Sequence, residues 1–109
     1  SLLNVLLTTN NLIKREEFAH AHQSLTTVQK YLLWLIRTVT NKTQHWESPT
    51  KSLEKDIDQD WYSEFILTTS DLNPKNINTA FQNSLKISEK LFDKLNVGLK
   101  LKEILKRIE

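Results

Sequence analysis

Between Phe18 and Val39 the residues Phe18, Ala21, Leu25, Val28, Leu32, Leu35 and Val39 recur at steps of 3, 4, 3, 4, 3 and 4. That rhythm follows the turn of an α-helix and draws one apolar stripe along a single face. Leu33 and Ile36 widen the stripe, and Glu16 and Glu17 stand at its start, where the helix dipole favours anions. A helix this long with one apolar face is stable only when other elements cover that face. Arg37 falls off the stripe and is expected to face a groove.

The rest of the chain must therefore supply covering helices. One Gly and two Pro in 109 residues leave too few turn formers for a sandwich or barrel. Leu2, Leu3, Leu6, Leu7 and Ile13 lie near helical spacing, although Thr8-Thr9-Asn10-Asn11 lowers the propensity. Ser1 leads into this stretch with no cap expected, and so abrupt a start reads as a piece of a larger protein. After a polar connection at 41–47, Ser48 as N-cap and Pro49 at the first helical position predict a third helix to about Ile57. A fourth, over 58–69, puts Trp61, Phe65 and Thr68 on one face, and 70–74 is a turn. A fifth begins near Pro74 or Lys75 and turns Ile77, Phe81, Leu85, Phe92 and Leu95 inward. Asn96-Val97-Gly98 ends it, with Gly98 able to supply a left-handed cap. A last short helix groups Leu101, Ile104, Leu105 and Ile108. The expected fold is all-α: a single domain over 1–109, an antiparallel up-and-down bundle of four to six helices centred on the second and fifth.

Composition narrows the function classes. With no Cys, neither a disulfide framework nor a thiolate metal site is possible. The longest apolar run, Leu32-Leu33-Trp34-Leu35-Ile36, is far short of the roughly 20 residues of a membrane span. The leucine-rich start has no basic residue before it and does not read as a signal peptide, so a cytoplasmic location is expected. A formal charge of +2 is too small to imply a nucleic-acid partner.

Catalytic and metal patterns are sparse. His20 and His22 diverge on a helix and make a poor metal pair. Arg15 and His20 match the Arg-x4-His spacing of a helical-bundle ribonuclease family, but a solvated Arg and a half-buried His explain them better. Asp56, Asp58 and Asp60 spread around a helix boundary and read as caps or solubilising charges. No Ser/His/Asp set and no Gly-rich phosphate loop occurs, so no residue is assigned a catalytic or metal role.

The informative stretch is His45-Trp46-Glu47-Ser48-Pro49-Thr50-Lys51-Ser52-Leu53-Glu54-Lys55-Asp56-Ile57. In a helix opening at Ser48, Lys51 occupies the place of a capping-box acid. A cation there suits a bound anion such as a phosphate, with Lys55 one turn further along the same face. Spacing alone favours the plainer description of Lys51 as a solvated surface residue. Trp46, just before that start, is either a core residue or a stacking surface for a base or an apolar drug ring.

These residues carry a resemblance. Gln29-Lys30-x-x-Leu33-x-Leu35-Ile36-Arg37, Trp46-x-x-x-Thr50-Lys51-x-Leu53-Glu54-Lys55-x-Ile57, Phe65-x-x-Thr68-Thr69 and Ala80-Phe81-x-Asn83-Ser84-Leu85 together resemble the C-terminal domain of lincosamide nucleotidyltransferases. The likeness runs over nearly the whole chain, and Thr50-Lys51-x-Leu53-Glu54-Lys55 is its most specific part.

The resemblance implies an enzyme that transfers AMP from MgATP to a hydroxyl of a lincosamide or aminoglycoside. An N-terminal α/β domain with a Gly-Ser motif and paired Asp residues would hold the metal. The helical domain would wall the cleft and contribute to a homodimer. Lys51 and Lys55 are then the nucleotide-phosphate candidates, and Trp46, Arg37 and Glu54 the substrate-cleft candidates. The Gly-Ser and Asp-x-Asp metal site is absent from these 109 residues, so the chain by itself is expected to be inactive and to hold no cofactor. A stand-alone helical partner of a minimal nucleotidyltransferase, or a ribonuclease-type toxin–antitoxin protein, is the alternative.

Overall fold

The computed structural model describes residues 1–95 and 107–108. Five helices follow in order: α1 (Leu2–Lys14), α2 (Phe18–Thr40), α3 (Leu53–Asp56), α4 (Gln59–Ile66) and α5 (Pro74–Lys94). The fold is an all-α bundle, with no strand among the described residues.

The α1–α2 link is only three residues long, which forces the two helices into an antiparallel hairpin. Glu16 makes that turn at φ 60°, and the amides of Glu16 and Glu17 bond back to the carbonyls of Ile13 and Leu12 at 3.0 and 2.9 Å. Contrary to the uncapped start expected, Ser1 is the N-cap of α1, its Oγ accepting from the Asn4 amide at 3.4 Å. Leu2, Leu6, Thr9 and Leu12 are buried, one face at steps of four and three, while Leu7 lies outside it. Thr9 tolerates burial because its hydroxyl donates to the Val5 carbonyl and meets Ser24 Oγ at 2.6 Å.

α2 packs against α1, α4 and α5 and is the centre of the bundle. Ala21, Leu25, Val28 and Leu32 are buried as the stripe requires, but near the C-terminal end the buried set becomes Leu33, Ile36 and Arg37. Leu35 and Val39 are only half-buried. The cause is geometric. A strict seven-residue repeat drifts by about 20° per heptad on a straight helix, so three heptads rotate the stripe by roughly 60°.

α5 is capped by Asn73, whose Oδ1 accepts from the amides of Lys75 and Asn76, and Pro74 opens its first turn as expected. Ile77, Phe81, Leu85, Leu91 and Phe92 are buried on it. Buried Ser84 and Ser88 return their hydroxyls to the carbonyls of Ala80 and Ser84, so this face brings small side chains inward without an orphan donor. α4 is shorter than expected. Asp58 caps it, Trp61 is its buried residue, and the chain leaves the helix after Ile66. Thr68 is still fully buried, with its hydroxyl on the Phe65 carbonyl. The expected cap at Gly98 and the residues Leu101, Ile104 and Leu105 lie outside the described residues; Ile108 is helical and packs on the main core.

Candidate functional site

The largest departure from expectation falls in the segment between α2 and α3. No helix starts at Ser48; residues 44–52 form successive turns, and α3 begins only at Leu53. The reason is Arg37, which is completely buried rather than facing a groove. Its Nε and Nη2 donate to the Pro49 carbonyl at 3.0 and 2.7 Å. Nη2 also reaches the Lys51 carbonyl at 3.0 Å. Nη1 donates to the Lys42 carbonyl at 3.0 Å and to Asp56 Oδ2 at 2.9 Å.

These five bonds match the five N–H donors of a guanidinium, which is why the charge can stand without water. They also capture the Pro49 and Lys51 carbonyls, which a helix starting at Ser48 would need for its own ladder. Asn41 ends α2 in the left-handed conformation, φ 56° and ψ 42°, which Asn tolerates. Ser52, at φ 52°, makes the second sharp turn.

The segment so pinned presents two side chains that the expectations did not join. His45 Nδ1 lies 2.5 Å from Asp56 Oδ2, the same oxygen that Arg37 holds. Asp56 is a partner in a partly buried cluster, not the solubilising charge expected of it. Hydrogen bonds from His45 first and from Arg37 second pull the Asp56 carboxyl below its ordinary value of 3.8, against the opposing effect of burial. An ionised carboxylate only accepts, so His45 donates through Nδ1–H, and Nε2 is the ring's remaining polar atom.

Trp46 is 43 % exposed and stacks on Trp34 of α2, with ring centroids 6.0 Å apart and an interplanar angle of 28°. The Trp34 indole N–H donates to the Trp46 carbonyl at 2.9 Å, so backbone and ring are fixed together. Tyr31 meets Trp34 edge-on at 5.8 Å, and Lys30 Nζ sits 5.3 Å from the Trp34 ring. Sequence reasoning missed this platform. Its signal was present in the spacings Lys30-x-x-x-Trp34 and Tyr31-x-x-Trp34, which put three side chains on one helix face.

Two concavities meet at Trp46. One, of about 510 Å³, is an apolar groove lined by Leu2, Leu3, Tyr31, Trp34, Leu35 and Phe92. The other, of about 390 Å³, is polar, lined by Thr43, Gln44, His45, Glu47, Ser48 and Lys51. A ligand seated across Trp46 would meet apolar surface on one side and hydrogen-bonding groups with one ammonium on the other.

The candidates separate accordingly. Trp46 and Lys51 share the polar pocket. Lys55 and Glu54 are exposed on α3, outside the lining of both concavities. Lys51 precedes α3 and does not share a helical face with Lys55. Glu54 accepts from the Tyr62 hydroxyl at 3.2 Å; burial first, then the Glu54 charge, raises that phenol above its usual range. Arg37 shapes the pocket from behind, through the carbonyls and carboxylate it holds. Among the described residues no three His, Asp or Glu side chains gather as a candidate metal-ligand group. No described helix is long and apolar enough to cross a membrane.

Comparison with individual curated proteins returns no match. The family comparison is informative: over residues 1–109 the chain matches the lincosamide nucleotidyltransferase-like C-terminal domain, and it belongs to that family.

Proposed function

We propose that this domain forms one wall of the drug–nucleotide cleft in an antibiotic nucleotidyltransferase, which moves AMP from MgATP to a hydroxyl of a lincosamide or aminoglycoside. The observation that carries this reading is Trp46, half-exposed between an aromatic groove and a polar pocket. Drugs of this kind join apolar groups to hydroxyl-bearing rings, and such a surface matches both parts. Lys51 is the ammonium of the polar pocket and is the candidate contact for a nucleotide phosphate. Lys55, Glu54 and Arg37 receive no such support from the geometry.

The family's C-terminal designation implies an N-terminal partner domain. In this reading that domain is α/β and would hold the metal and the reacting phosphate. The domain's part is then binding and orientation, with no step of bond making assigned to its residues. A contribution to a homodimer and a place in the cytoplasm belong to the same reading. The homodimer rests on the family resemblance.

The test uses the full-length protein that carries this chain, assayed with MgATP and a lincosamide. Truncating Trp46 removes an aromatic wall from the ligand, and Trp46→Ala is expected to raise KM for the drug about tenfold or more, at a cost of about 1.5–3 kcal/mol of apolar contact. KM for ATP should change less. An unchanged KM for the drug would remove Trp46, and with it the groove, from the substrate site.

A further inference from the structure

Taking the cleft-wall role as its premise, we propose that His45 Nε2 is the point of the polar pocket that accepts a hydrogen bond from a ligand hydroxyl. The ligand class is a hydroxyl-bearing ring compound whose apolar part lies against Trp46.

Three observations lead to it. Among the described residues the imidazole is tied at one end only: Nδ1 is 2.5 Å from Asp56 Oδ2, and the ring lines the pocket at 27 % side-chain exposure. Its orientation is fixed from behind, because Asp56 is itself gripped by the fully buried Arg37 at 2.9 Å. Arg37 in turn is fastened to the carbonyls of Lys42, Pro49 and Lys51, which bracket the pocket-forming segment in the chain. A buried cation, a carboxylate and an imidazole in series form an arrangement that holds a ring in one orientation and one tautomer.

The chemistry follows from the tautomer. With its proton on Nδ1, the neutral ring offers Nε2 as a lone-pair acceptor. A hydroxyl group can satisfy that acceptor, and an anion such as a phosphate cannot. Lys51, on the same pocket, supplies the donor that an anion would need. The pocket therefore divides the ligand's polar groups: hydroxyl to His45, negative charge to Lys51. Trp46 stands beside both, which aligns an apolar ring face with them.

The experiment uses the full-length protein with lincomycin as probe, by calorimetric titration at pH 8 and by nitrogen-resolved histidine spectra of the wild-type protein. His45→Asn keeps an amide able to donate to Asp56 but removes the Nε2 acceptor. It should weaken lincomycin binding about tenfold, the loss of one directed hydrogen bond. The wild-type spectra should show the Nδ1–H tautomer at His45, and its Nε2 resonance should move on saturation with lincomycin. An Nε2–H tautomer, or an Nε2 resonance that does not move while lincomycin is bound, overturns the assignment without any variant. Unchanged affinity in His45→Asn overturns it as well and leaves the cleft-wall reading standing. A wild-type protein that binds neither lincomycin nor an aminoglycoside overturns both.

Discussion

Arg37 sets the conformation of the segment on which the candidate site is built. Its five donors are all used, and its charge is balanced by Asp56 with no exposure of its own. An apolar replacement of similar length, Arg37→Met, leaves the Lys42, Pro49 and Lys51 carbonyls without their side-chain donor and the Asp56 carboxylate with His45 but no guanidinium. The expected loss of stability is about 3–5 kcal/mol by denaturant titration, as for other broken buried ion pairs. Acid should narrow that loss. The Asp56 carboxyl is depressed below 3.8 in the folded protein, so its contribution is present above that pH and disappears as pH falls through the depressed value. The difference between wild type and Arg37→Met should therefore shrink below about pH 3.8, keeping only the part due to the carbonyls. A difference independent of pH would mean that Asp56 does not depend on Arg37. None of this was legible in the sequence. A lone Arg off an apolar stripe looks like a surface residue, and only the fold shows that the stripe rotates to include it.

Among the elements, α2 tests the packing most sharply. Its repeat predicts Leu32 and Leu35 on one buried face, yet Leu32 is fully buried while Leu35 is half-buried and lines the apolar groove. Leu32→Ala should cost about 2–5 kcal/mol and Leu35→Ala less than half as much, with Leu35→Ala acting instead on whatever occupies the groove. Equal losses would show that the stripe keeps its seven-residue register and that the groove is part of the core. Among the described residues, the presence of α1 to α5, the α1 boundaries and a start of α5 near Pro74 could be read from periodicity and turn residues, while the Ser1 and Asn73 caps could not. The α3 start could not, because Ser48-Pro49 carries the local signature of a helix N-terminus. A contact with Arg37, twelve residues upstream, overrides it. His45 was legible as part of an informative stretch, but its partner Asp56 was not, since a turn of unknown shape separates them.

For the whole molecule, the parts combine into a bundle whose centre is conventional and whose candidate surface lies toward the C-terminal end of α2. Leu2 and Leu3 of α1, Tyr31 and Trp34 of α2, and Phe92 of α5 converge on the groove, and the Arg37-pinned segment closes it with Trp46. Three helices therefore hold one wall rigid, as a site that orients a substrate requires. The most direct test is amide hydrogen exchange on the full-length protein, with and without a lincosamide and MgATP. The account predicts slowed exchange in residues 43–51, where Trp46, His45 and Lys51 stand, with the amides of α4 unaffected. Protection confined to parts of the protein outside residues 1–109, with 43–51 exchanging as before, would contradict it.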